Sequence, residues 1–250
     1  MNTKTWIDHF ESNRLHCAEP DWAAPFSMPE GKRAALARSL AEYQLGDGGG
    51  ECRLVARDAE VFRTSRESMD RLVDLWFAEE REHSRLLSHA VKRVGGTPVT
   101  SSFAMRLFYG CRRVLGVDFE LLVLLIVEIV STGYYRLIRK YVGDQPIADM
   151  CKLILRDEAR HIDFHRDRLA SAMPEGPSFA WSLECMFLAE ACSWFLWIGK
   201  NGSCLRTLGA TRAELFHHVR SGLANLIAEV SAASGAEPSV KVVGSRRALT

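Results

Sequence analysis

Two stretches of the chain set a glutamate three residues before a histidine: Glu80 and His83 in FAEEREHSRLL, and Glu158 and His161 in LRDEARHIDFH. On a helix that spacing puts both side chains on one face. Carboxylate oxygens beside imidazole nitrogens suit iron or manganese. One such pair is a weak signal, because charged residues at helical spacing commonly form a solvated face. Here the surrounding pattern adds to it. Ile147, Cys151, Ile154, Glu158, His161 and His165 follow a four-three rhythm, as do Met69, Leu72, Trp76, Glu80, His83, Leu87 and Ala90. Both Glu/His pairs therefore lie on stripes that should face a core.

Glu128 is a third candidate. It shares a stripe with Leu121, Leu124, Ser131 and Tyr135, inside the most apolar stretch of the chain. An ionised carboxylate buried there costs several kcal/mol unless a cation or partner compensates it. Buried carboxylates with two histidines point to a two-metal centre, in which two helices each supply one Glu and two others each supply Glu-x-x-His. Glu128 precedes Glu158 by 30 residues, so a first half built the same way places a carboxylate about 30 residues before Glu80. Glu51, 29 residues before, ranks first; Asp47 and Glu42 are the alternatives if the glycine run is looped out.

Neighbouring residues take looser roles. Asp157 and Arg160 flank the second pair and either orient a ligating imidazole or form a surface ion pair. His165, one turn beyond His161, is a candidate extra ligand or proton carrier, against the commoner fate of a buried histidine bonded to a carbonyl. Tyr135, two turns after Glu128, is a candidate pocket or electron-donating residue, against simple packing. His89, His217 and His218 lack acidic partners at ligand spacing and read as surface or packing residues.

These residues need helices to position them. Strand signals are sparse and apolar residues recur at three and four spacings, which predicts an all-α fold, a four-helix bundle with additional helices in one domain over 1–250. The first thirty residues, with Pro20, Pro25 and Pro29, read as an irregular arm. Helices are expected from Lys32 to the glycine run at 46–50, from Glu51 to a pause at 62–65, and from there to Val94 with Ser65 as N-cap. Further helices are expected over 103–115, 118–141, 147–172, 179–199 and 212–233, and the tail from 234 shows no helical face.

With 47% hydrophobic and 25% charged residues and a net charge of +1, the composition is that of an ordinary globular chain with no general pull toward nucleic acid or an anionic membrane. Seven scattered cysteines without a C-x-x-C pair indicate neither a disulfide framework nor a zinc knuckle, and fit a reducing cytoplasm. No signal peptide is evident at the start, and the ten-residue apolar run from Leu121 to Val130 falls short of the roughly 20 residues that cross a bilayer. Phosphate-loop and nucleophile-elbow patterns are missing; GDGGG lacks the lysine of a P-loop.

At FAEEREH and LRDEARH, and over about residues 40–170, the sequence resembles the ferritin-like di-iron carboxylate superfamily, in particular the acyl-carrier-protein desaturases and di-iron oxygenases. The resemblance implies that Glu80, His83, Glu128, Glu158 and His161 ligate two irons, with Glu128 bridging or flexible. The front departs from the desaturases, whose first carboxylate falls nearer Glu42; other members use a separation like that of Glu51. The chain is also shorter than a typical desaturase. The implied activity is reductive O2 activation that hydroxylates, N-oxygenates or desaturates a small or carrier-tethered substrate, with electrons from a separate donor. Manganese uses the same ligands. Two other readings compete: a ferroxidase or iron-handling protein, and a non-catalytic helical module in which the Trp194–Trp197 segment docks a partner. That aromatic segment fits a core or a homodimer interface as well as a substrate cage.

Overall fold

The structure, a computed structural model, describes residues 2–15, 18–48, 65–99 and 117–235. Among them eight helices pack into an all-α bundle: α1 (Thr3–Arg14), α2 (Glu30–Gly48), α3 (Arg66–Arg93), α4 (Val117–Tyr141), α5 (Gln145–Ala172), α6 (Phe179–Ile198), α7 (Lys200–Leu208) and α8 (Arg212–Ala233). Local chemistry fixes the ends of the functional helices. Ser65 caps α3 by accepting from the Ser68 amide, Glu67 sits in its first turn, and Lys92 and Arg93 complement the dipole in its last. Asp144 caps α5 through the Ile147 amide, with Pro146 in the first turn where its missing N–H costs nothing.

Helices α2 with α3 and α4 with α5 form the main pairs, and α3 meets α5 between them. One core runs through Leu36 and Leu40 of α2, Leu87 and Ala90 of α3, Leu125, Ile126 and Ile129 of α4, and Ile147, Met150, Cys151 and Ile154 of α5. Helix α4 is the central member. Its segment Leu121–Tyr141 is long and apolar enough to cross a membrane, but the bundle buries most of it. Helices α6 and α8 cover its outer side. The α6–α7 corner depends on Gly202, where an added Cβ would stand 1.8 Å from the Trp197 carbonyl oxygen.

A buried ion pair pins α3 to α5. Arg93, in the last turn of α3, donates to both carboxylate oxygens of Asp144 at 2.8–3.2 Å, and Nη1 also donates to the Trp22 and Ala24 carbonyls at 2.8 and 3.0 Å. The two side chains are only 6% and 4% exposed. Arg93→Ala leaves Asp144 buried without its cation, so thermal or urea unfolding should show a loss of about 3–5 kcal/mol. Because the C-terminal end of α3 meets the N-terminal end of α5 at this clamp, the two helices run antiparallel, and both Glu-x-x-His motifs fall in their middles.

The main departure from the sequence reading lies at the front. The expected irregular arm begins as helix α1, capped by Asn2 and burying Trp6 and Phe10 against Met69, Leu72, Leu75 and Phe164. Its apolar positions four apart carry a helical signal that the later prolines overshadow. Helix α7 is likewise additional. Helix α2 begins at Glu30 rather than Lys32; the helices expected over 51–62 and 103–115, and the tail from 236, lie outside the described residues.

Candidate metal centre

Helices α3, α4 and α5 bring five predicted ligands together. Glu80, Glu128 and His161 offer ligand atoms within 4.8 Å of one another, and so do Glu80, His83 and Glu158. Glu80 belongs to both triads. The two imidazole rings lie 6.0 Å apart. His83 and His161 are fully buried, and Glu158, Glu128 and Glu80 nearly so. Buried Glu/His groups this close could hold metal ions.

Each histidine turns its Nδ1 toward the cluster. His161 Nδ1 stands 3.0 Å from Glu80 Oε1, 3.5 Å from Glu158 Oε2 and 3.7 Å from Glu128 Oε1. His83 Nδ1 stands 3.7 Å from Glu158 Oε1 and 3.8 Å from Glu80 Oε2. Despite these distances, both Nδ1 atoms and Glu158 Oε2 are buried without a hydrogen bond. Orphaned polar atoms are costly and rare. Here they lie within the two triads that share Glu80, where cations would satisfy them.

The opposite nitrogens are tied down. His161 Nε2 donates to Glu79 at 2.9 Å, and His83 Nε2 lies 3.4 Å from Asp157. Carboxylates only accept, so Nε2 carries a proton, and Nδ1 is the nitrogen that would give its lone pair to a cation on losing its own. The pairing is crossed: the acid preceding the Glu of each motif orients the histidine of the other. Asn13 of α1 joins the two acids, its amide donating to Glu79 and, at 3.1 Å, to Asp157, which also accepts from Arg156 at 2.8 Å. Outer partners of this kind usually affect metal affinity 10–100-fold. Asn13→Ala and Asp157→Asn should each weaken metal binding within that range in a competitive chelator titration, with helical content unchanged.

Electrostatics follow from crowding. Burial opposes a charge on His83 and His161, but Asp157, Glu80 and Glu158 around the first, and Glu80, Glu128 and Glu158 around the second, outweigh it and raise both pKa values well above 6.5. Burial likewise disfavours ionised Glu80, but His161 and His83 outweigh it and hold its pKa below the usual carboxylate range. Glu158 goes the other way, pushed up by burial and by the neighbouring Glu128. Asp157 is held at about 2 against its burial by His83 and Arg156.

The remaining predicted residues separate. His165 is buried on the edge of the site, with Trp76 across its ring, Arg168 facing Nδ1 at 3.4 Å, and Nε2 without a partner; burial holds it neutral. It joins an apolar pocket made by Leu72, Val73, Trp76 and Phe77 of α3, Leu121 and Leu124 of α4, and Phe164 of α5. Trp76 links pocket and cluster: its indole stacks on His161 at 4.3 Å and donates to Glu80 at 3.1 Å. Tyr135 instead sits in a buried aromatic group with Tyr43 and Tyr134. Arg160 makes a surface ion pair with Asp163. Of the first-carboxylate candidates, Glu42 pairs with Lys200 at 2.7 Å, while Glu51 and the side chain of Asp47 lie outside the described residues. Glu79, Asn13 and Trp76 carry roles that spacing alone did not assign. The one available signal is that both motifs have an acid directly before their glutamate.

Comparison of the chain with family models, curated proteins and solved structures finds no match.

Proposed function

We propose that the chain is a non-haem di-iron oxidoreductase of the ferritin-like kind, which uses O2 to hydroxylate, N-oxygenate or desaturate an organic substrate. The observation that carries this reading is the pair of inward-facing, unpartnered Nδ1 atoms, each fixed from behind by a carboxylate and each facing a triad that shares Glu80. Two iron ions bound there would supply reductive activation of dioxygen; manganese fits the same donors. Glu80 and Glu158 would neutralise the cations, Glu128 would complete the α4 side, and Glu51 is the proposed fourth carboxylate. The crossed Glu79 and Asp157 contacts keep both imidazoles in the ligating tautomer.

The pocket beside Trp76 supports an organic substrate over iron storage. Its α3 and α4 walls are aliphatic and aromatic, with no oxygen ligand to pass an iron ion inward. His165 is the polar exception and can meet a substrate group or carry a proton. Tyr135, two turns along α4, is proposed at most as a remote redox residue. Electrons come from a separate donor, and the setting proposed is the cytoplasm.

Anaerobic titration with Fe(II), followed by exposure to air, tests this reading. Binding of about two irons per chain and stoichiometric O2 uptake with a transient visible absorption are expected. Tight binding of a single zinc, or no binding, would remove the assignment. A large cage that oxidises and retains iron would favour the storage reading.

A further inference from the structure

Helix α6 is apolar on both sides. Cys185, Ala189, Ser193 and Leu196 face inward against the bundle. Phe179, Leu183, Met186, Phe187, Trp194, Phe195 and Ile198 face outward, each between 42% and 73% exposed. These seven are most of the large exposed apolar side chains among the described residues. A helix apolar all round normally belongs in an interior or a bilayer, and α6 is long and apolar enough by composition for either. At roughly 200 Å² per fully exposed large side chain, the face presents on the order of 800 Å². That exceeds the largest patch on a typical monomer and matches one partner's share of a standard stable interface.

We propose that this face is the interface of a homodimer in which α6 packs antiparallel on α6 of a second copy across a two-fold axis. The sequence of the face is self-complementary about its midpoint. With the axis beside Ala189, Phe187 meets the partner subunit's Ala191, Ile198 meets the partner subunit's Ala180, Phe179 meets the partner subunit's Gly199, and Leu183 meets the partner subunit's Phe195. Large residues therefore fall mainly on small ones, as close packing of helices requires. A parallel pair would set Phe187 against its own copy and Glu184 against another Glu184.

Charge agrees with the antiparallel register. The outward face carries Glu184, whose position falls opposite the partner subunit's Trp194, and within each chain the Arg212 guanidinium lies 4.9 Å over the Trp194 ring. The other acid near this face, Glu190, is already held by Arg220 at 2.9 Å. Glu184 and Arg212 thus meet across the axis twice, once on each side.

Sedimentation equilibrium of the full chain over about 1–100 μM tests the proposal. A dimer is expected, and Phe187→Glu should raise its dissociation constant at least about 30-fold with an unchanged circular dichroism spectrum. Glu184→Arg and Arg212→Glu should each weaken the dimer, and the double variant should restore it. A wild-type monomer throughout the range, or a dimer indifferent to Phe187→Glu, overturns the proposal. Failure of the double variant to recover overturns the antiparallel register. A monomer that co-sediments with phosphatidylcholine–phosphatidylglycerol vesicles would overturn it in favour of a lipid surface.

Discussion

Glu80→Ala is expected to abolish binding at both halves of the metal site, with affinity for Fe(II) or Mn(II) falling by about a thousandfold or more. The reason is geometric: Glu80 is the carboxylate common to the two triads and lies near both inward-facing histidine nitrogens. Single-half variants sharpen the test. Glu128→Ala removes a member of the His161 triad only, and His83→Ala a member of the other only, so each should leave about one ion bound per chain. Circular dichroism should stay helical in all three, because the core of α2, α4 and α5 does not depend on these side chains. Elemental analysis after anaerobic loading provides the count. Retention of two ions by Glu80→Ala would mean that the shared carboxylate is not a ligand.

The second large effect is an opposite pH dependence of the metal-free and metal-loaded protein. In the metal-free state His83 and His161 have pKa values raised well above their unfolded 6.5. Their stabilising contribution is fully present below about 6.5 and is lost as the pH rises through the folded values. Glu158, also raised, adds a penalty once the pH passes its unfolded 4.5. Glu80 contributes in the reverse sense, above 4.5, and loses that contribution only on strong acidification, since its folded pKa is depressed. Between neutral and alkaline pH, therefore, the metal-free melting temperature should fall. Metal must displace the same protons, so affinity should rise up to about tenfold per pH unit for each proton released. Melting curves and chelator competition from about pH 6 to 9 would show the two trends diverging. A metal affinity flat with pH would show that the histidines are not held protonated by the cluster.

Much of the architecture is legible in the sequence because helices carry their own punctuation. Ser65, read as an N-cap, stands directly before the first residue of α3, and the starts expected at 118, 147, 179 and 212 fall within two residues of where the chain turns helical. The two Glu-x-x-His pairs are legible for a related reason: they interrupt apolar stripes, and an ionisable group on a core face needs an explanation. Glu79 and Asn13 are not legible in that way. Glu79 is one residue from Glu80 and so points about 100° away along α3, toward a partner 82 residues distant in sequence. Asn13 belongs to a helix whose amphipathic signal is brief and followed by prolines. Contacts made between helices, rather than along one, have no period to reveal them. Tyr135 shows the converse limit: its stripe leads through Glu128, yet over two turns the helix carries it about 10 Å away, into the tyrosine group beside α2.

The Arg93–Asp144 clamp has a mechanical consequence. It fastens α3 and α5 at one extremity, while the pocket walls Leu72 and Val73 on α3 and Phe164 and His165 on α5 lie toward the other. From Arg93 to Leu72 the span is about 30 Å. Helix α1 fastens the far end as well: Trp6 and Phe10 pack against Met69, Leu72 and Leu75 of α3 and Phe164 of α5, and the Trp6 indole donates to Asp167. Held at both ends, the two helices act as a braced frame that keeps the ligands at mid-span at a fixed spacing.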